Sequence, residues 1–240
     1  MKANKLNGKI ISRKSLNQEN VKEMYSLLTE YFEGQTIYHF RKDLDEKDSV
    51  LLLRDVNDKI QGFTTMLFME LEVDSKKVNG IFSGDTIVSK DCRGQGELAK
   101  VWSRYVLDIA EELESPLYWF LISSGPKTYR FFPNLFRSFY PNYKNRTPEF
   151  EQKIIDSYAQ TKFGSDYNRN TGLISFSNSS ERLKQKCAVM SDEELRDPHL
   201  KFFSEKNPRY ADGLELACLA EISKANYNKR ALQMFGYDEK

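Results

Sequence analysis

The residues best suited to chemistry are Arg93, Gly94, Gln95, Gly96, Glu97 and Leu98. An apolar stretch runs into them and an amphipathic one runs out, so the pattern predicts a strand, a glycine loop and a helix in succession. Such a junction presents free backbone N–H groups and the positive end of a helix dipole to an anion, of which phosphate is the usual guest. Gly94 and Gly96 let the backbone approach a bulky ligand, and Arg93 adds charge. Glycines also serve tight strand-to-helix connections for steric reasons, so the loop acquires meaning only from its flanks. The remaining reactive side chains form no constellation. Cys92, Cys187 and Cys218 are scattered and odd in number, and His39 and His199 stand alone. Neither a disulfide framework nor a metal site is therefore expected. Cys92 has no second cysteine or histidine beside it, which argues against a thiol nucleophile. His199, after Asp197-Pro198, reads as a turn residue.

The elements that position the loop can be read from periodicity. Lys9 to Ser12 is a strand candidate, and Ser15-Leu16-Asn17-Gln18 has the pattern of a capping box opening a helix with Val21, Met24, Tyr25, Leu28 and Phe32 on one face, ending at Gly34. Val50 to Leu53 is a short strand, Asn57-Asp58-Lys59 a turn, and the alternation Thr65, Leu67, Met69, Leu71, Val73 a long strand. After a turn at Asp74 to Lys77, Val78 to Val88 is its antiparallel partner and leads into the glycine loop. Leu98, Val101, Trp102, Tyr105, Val106, Ile109 and Leu113 form a helical stripe, and Leu117 to Ile122 is the next buried strand. From Thr147-Pro148, an N-cap and proline pair, a helix should run to Gly164. A helix over Glu181 to Val189, a strand over Leu214 to Ile222 and a helix from Ser223 to Phe235 complete the chain.

The 240 residues carry 36 Lys and Arg against 35 Asp and Glu, a formal charge of +1, so no global field gathers nucleic acid or an anionic membrane. No apolar run approaches the roughly 18 residues of a membrane span, and Met1 to Ser15 lacks an apolar leader core. A reducing cytoplasm is the expected compartment. One segment departs from charge balance: Ser115 to Pro148 has no acidic residue, but holds Lys127, Arg130, Arg137, Lys144 and Arg146 among many aromatics. Its composition could stack bases and hold phosphates. The simpler account packs the rings inside and gives the cations to a bound anion.

The order helix, strand, hairpin, Arg93-Gly94-Gln95-Gly96 loop, amphipathic helix, strand, Tyr-rich helix resembles the GNAT acyltransferase superfamily over roughly Lys9 to Pro141. Asp85 to Gly96 is similar to that family's central strand and its Arg/Gln-x-x-Gly-x-Gly/Ala pyrophosphate loop. The last small residue departs from the pattern, since Leu98 stands there and Ala99 follows one place later. The resemblance implies an α/β (α+β) fold: a mixed, mostly antiparallel central sheet flanked by helices, with residues 1–145 as the acyl-CoA-binding core and 146–240 as an added α+β lobe that packs on it and can lid the acceptor site. It also implies that Ile87 and Val88 present backbone to pantetheine, that Arg93 to Leu98 hold the pyrophosphate, and that Ser123 or Ser124 replaces a pantetheine-binding Asn. Tyr129 would be the acid that protonates the departing thiolate, and Asp85 the base that receives the amine proton, with Glu70 and Glu72 as alternatives. The function implied is N-acyl transfer from acetyl-CoA or another acyl-CoA to an amine of a small molecule or peptide, without metal or membrane. The alternatives are a catalytically inactive acyl-CoA-binding or sensing module and, from the basic aromatic segment, an RNA-binding accessory protein.

Overall fold

A computed structural model describes residues 6–176 and 181–237. The first part of the chain forms β1 (Asn7–Ser12), α1 (Gln18–Leu28), β2 (Phe32–Glu33), α2 (Ile37–Asp45), β3 (Ser49–Arg54), β4 (Ile60–Val73), β5 (Lys76–Val88), α3 (Glu97–Glu112) and β6 (Leu117–Ser123). Then come α4 (Pro126–Tyr129), α5 (Phe131–Leu135), α6 (Glu149–Phe163), β7 (Tyr167–Asn168), β8 (Leu173–Ile174) and β9 (Arg182–Leu183). The last elements are α7 (Gln185–Ala188), α8 (Asp192–Arg196), α9 (Pro198–Lys206), β10 (Glu215–Glu221) and α10 (Lys229–Phe235). Eight strands make one sheet in the order β1-β3-β4-β5-β6-β10-β8-β7, antiparallel throughout except for the parallel pair β5–β6, and β2 pairs with β9 apart from it. Among the described residues no helix is long and apolar enough to cross a membrane.

Both faces of the sheet are covered, which is why Val50 to Leu53 is a continuous apolar run rather than an alternating one. Leu51 and Leu53 join a core with Trp102 and Val106 of α3, Trp119 and Leu121 of β6, Phe132 and Phe136 of α5 and its exit, and Phe235 of α10. On the opposite face Val50 and Leu52 meet α1 and α2 through Met24, Leu28, Phe40 and Leu44. Further along that face, Phe82 and Phe120 meet Ile154, Ile155 and Tyr158 of α6. Gly80 makes this last contact possible, because a Cβ there would lie 2.4 Å from Tyr158 Cζ.

Several boundaries differ from expectation. The cap of α1 is Asn17, whose side chain accepts from the Asn20 amide, and Ser15 closes a preceding 3-10 turn. The helix stops at Leu28, not Gly34, because Phe32 and Glu33 pair with Leu183 and Arg182. Pro148, not Thr147, stands at the N-cap of α6. Arg182–Leu183 is strand where a helix was expected, and the final helix begins at Lys229 because Asn228 caps it. Helices α2, α8 and α9 were not foreseen.

Candidate functional site

β4 and β5 stay paired along their length, but β5 and β6 pair only from Asn79↔Leu117 to Ser83↔Leu121. At the point of divergence Gly84 and Asp85 together oppose the single residue Thr65, a β-bulge that turns the β5 edge outward. Thr86 to Val88 are consequently paired on the β4 side alone. The gap opens into a cavity of about 970 Å³ whose wall includes Gly84 to Val88, Arg93, Gly94, Gly96 to Ala99, and Ser124 to Thr128. This is the size range of small-molecule sites.

The glycine loop stands at the cavity's edge in the conformation it requires. Gly94 and Gly96 have φ of 82° and 73°, the left-handed region, and no side chain caps the first turn of α3. The amides of that turn have no acceptor within the helix. A Cβ at Gly94 would meet nothing within 4 Å, whereas one at Gly96 would lie 3.1 Å from Met234 Sδ. Gln95 is exposed and Glu97 half-buried. Arg93 is exposed and partly committed to the protein surface: its guanidinium lies 4.4 Å over the Tyr31 ring, and Nε donates to the Val88 carbonyl at 3.1 Å. Leu98 packs into the core and at the same time lines the cavity, where half-buried Ala99 stands beside it.

Two expected site residues are not at the cavity. Tyr129 is fully buried, its ring is packed against Phe132, Phe139, Phe202 and Phe203, and its hydroxyl donates to the Pro141 carbonyl at 2.8 Å. Burial raises its pKa far above the ordinary tyrosine value. It is a core residue, because the four-residue helix α4 turns its side chain inward while Lys127 and Thr128 line the cavity. Ser123 is likewise buried, 3.6 Å from Cys218 Sγ, which leaves Ser124 as the serine on the wall. Glu70 is paired with Lys77 on the exposed hairpin, and Glu72 is exposed. Phe132, Phe136 and Phe139 lie in the core and are closed to stacking with bases.

Asp85 does line the cavity, and it has company that the sequence did not reveal. Asp43, Glu181 and Glu215 share the wall with it, while Arg93, Lys127, Arg130 and Arg230 also contribute. Burial, then the neighbouring Asp43 carboxylate, push Asp85 up to about 7 against the pull of Lys47. Glu181 is pushed up to about 8 by burial and by Asp85 and Asp43, opposed by a hydrogen bond from Gln35. Glu215 is pushed well above its ordinary value by burial and then by Glu181, Asp85 and Asp43. Lys47, only 4% exposed, is held by Asp43, 2.6 Å from its carboxylate and 2.9 Å from its carbonyl. The one available signal for Glu215 was an acid opening the otherwise apolar strand Leu216-Ala217-Cys218-Leu219-Ala220.

No family model matches the chain, and no curated protein matches it. Among solved structures, a conserved protein of unknown function from Enterococcus faecalis V583, described as a probable N-acyltransferase, aligns at 13% identity and a TM-score of 0.42 over 68% of this chain and 45% of its own. This chain therefore spans under half the length of that protein. A GNAT family N-acetyltransferase of Escherichia coli in complex with CoA aligns at 19% identity and a TM-score of 0.37, over 55% of this chain and 70% of its own. Escherichia coli ElaA does so at 16% and 0.36, over 60% and 95%. These likenesses are too distant to decide a function.

Proposed function

We propose that the protein is an acyl-CoA-dependent N-acyltransferase. One observation carries this reading: the unpaired edge of β5, the glycine loop and the uncapped start of α3 border a single cavity that also contains Asp85. The amides of Gly94 to Leu98 and the cations Lys127, Arg130 and Arg230 suit a pyrophosphate. The β5 edge at Ile87 and Val88 suits an extended, amide-bearing arm that adds to a sheet, and Ser124 offers a hydroxyl on the facing wall. The acceptor side draws on residues 146–240, through Glu181, Leu183 and Glu215.

In the reaction an ammonium first loses a proton to the Asp85 carboxylate, whose pKa near 7 suits a base at neutral pH. The free amine nitrogen forms a bond to the thioester carbonyl carbon, the carbon–sulfur bond breaks, the nitrogen releases its surplus proton to solvent, and the thiolate takes a proton from solvent. With Tyr129 committed to Pro141, no side chain is assigned as the acid.

Calorimetric titration with acetyl-CoA tests the cofactor half. We expect micromolar binding, weakened about tenfold by Lys127→Glu, a reversal at an exposed side chain that leaves the fold intact. Absence of binding by the wild-type chain would refute the reading. Binding without thiol release across an amine panel would identify a non-catalytic acyl-CoA module.

A further inference from the structure

On the side of the sheet opposite α3 the cavity has an apolar wall that the reaction described above leaves unused. Phe163, the last residue of α6, and Phe176, just beyond β8, both line the cavity and both are half-buried. Their rings meet edge to face with centroids 5.7 Å apart. Ile122, one residue past the last β5–β6 pair, is a third half-buried apolar side chain on this wall. The backbone holds the two rings together: the Ser175 amide donates to the Asp166 carbonyl at 2.9 Å, and β8 is itself paired with β10. Behind them the packing is closed by Phe82, 3% exposed and 5.8 Å from Phe163, and by Phe120. Both rings come from residues 146–240, outside the Lys9 to Pro141 segment that resembles the superfamily, so this wall belongs to the added lobe.

These rings are not a cage for a cation. Lys162 Nζ already stands 5.9 Å from the centroids of both Phe82 and Phe163, and Lys47 Nζ 5.7 Å from that of Phe82. Each of these ammonium groups is in turn held by an acid, Glu46 and Asp43. What Phe163 and Phe176 offer the cavity is apolar area, and a guest gains from it only by bringing apolar area of its own, best as a flat ring. The cavity's volume suits a small molecule. The polar end of that molecule is set by Asp85, which faces the same side of the sheet. Gly84 beside it is so close to Lys47 that a Cβ there would lie 3.0 Å from Lys47 Cε, and Lys47 is also the cation over Phe82. An apolar wall and a carboxylate on one side of the gap fit a molecule with a ring at one end and an amine at the other.

We propose that the acceptor is a small arylalkylamine, its ring laid against Phe163 and Phe176 and its amino group turned to Asp85. Transfer to that amine rests on the function proposed above; recognition of the ring does not. The test is calorimetric titration of the full chain with 2-phenylethylamine, 2-phenylethanol and 2-aminoethanol, with and without saturating CoA, alongside a separate titration with acetyl-CoA. 2-Phenylethylamine should bind at least about tenfold more tightly than 2-aminoethanol. 2-Phenylethanol, which keeps the ring and loses the charge, should also bind more tightly than 2-aminoethanol. Phe176→Ser should lose about tenfold for both ring-bearing probes yet keep acetyl-CoA affinity within about twofold. Val56→Ser, at a side chain 72% exposed on the turn between β3 and β4, should change neither. Phe163→Leu provides the same comparison if Phe176→Ser fails to fold. Equal binding of 2-phenylethylamine and 2-aminoethanol, or wild-type 2-phenylethylamine affinity in both Phe variants, would overturn the proposal whatever acetyl-CoA does. Ring-selective binding with no acetyl-CoA binding would uphold the ring site and remove the transferase reading instead.

Discussion

Tyr129→Phe separates a catalytic tyrosine from a structural one. The substitution removes a single oxygen. The ring stays between Phe132, Phe139, Phe202 and Phe203, whose centroids lie 5.3–6.3 Å away. What is lost is the 2.8 Å hydrogen bond to the Pro141 carbonyl. Pro141 is only half-buried, so water can reach its oxygen and the cost stays near the ordinary value of a hydrogen bond, about 1 kcal/mol, instead of the larger penalty of a sealed acceptor. For a chain of this size that is a fall in Tm of roughly 2–4 °C. Turnover per folded molecule should be unchanged. The assay is a thermal melt alongside steady-state kinetics with whichever amine the acceptor panel identifies. A fall in kcat of about 100-fold at an unaltered Tm is the signature of a positioned acid, and it would refute the assignment of Tyr129 to the core.

Gly80→Ala should destabilise by about 2 kcal/mol or more in urea titration, because its Cβ would force Tyr158 from its stack on Phe120 and its bond to Val78 O; wild-type stability would mean the contact is loose. Stability should also fall as pH rises from about 5 to 8. The unfolded chain releases the protons of Asp85 and Glu181 near 3.8 and 4.5, the folded protein holds them to about 7 and 8, and the native state therefore binds more protons in between. Asp85→Asn should flatten that slope, and a Tm that does not change with pH would contradict the enclosure of these acids. Truncation after residue 145 should yield an aggregating fragment, since it strips Phe203, Tyr227 and Phe235 from the aromatic core and uncovers the β6 edge; a monomeric, cooperatively melting fragment would show that the first part folds alone.

β4 and α3 were legible because each announces itself through a period, two from Thr65 to Val73 and 3.6 from Leu98 onward, while the turn at Asp74 to Lys77 and the glycines after Arg93 marked the strand and the loop between them. Helix α2 escaped notice because only Phe40 and Leu44 of its nine residues are buried, too few to mark a face. The two-residue strands β7, β8 and β9 carry no period at all. The site was half visible for a related reason. Loop residues contiguous in the chain could be grouped by inspection, whereas Gln35, Asp43, Glu181 and Glu215 are scattered along the chain and only the sheet order and the segments packed on it make them neighbours. Tyr129 and Ser123 lie at the right distance from the loop along the chain, but that distance does not say which side of the element a residue faces. For both it is the inner side.

The position of β10 gives the sheet a history. β6 can pair with β5 as soon as both exist, but its other edge is completed only when Glu215–Glu221 arrives, after most of the last third of the chain has been made. At ordinary rates of synthesis that interval is on the order of ten seconds. Throughout it Trp119, Phe120 and Leu121 sit on a strand with one open edge, able to recruit any extended chain nearby. The growing protein is thus most vulnerable to mispairing between the emergence of β6 and that of β10. Slowing synthesis across the segment between them should lower the yield of native protein, while slowing it after Glu221 should not.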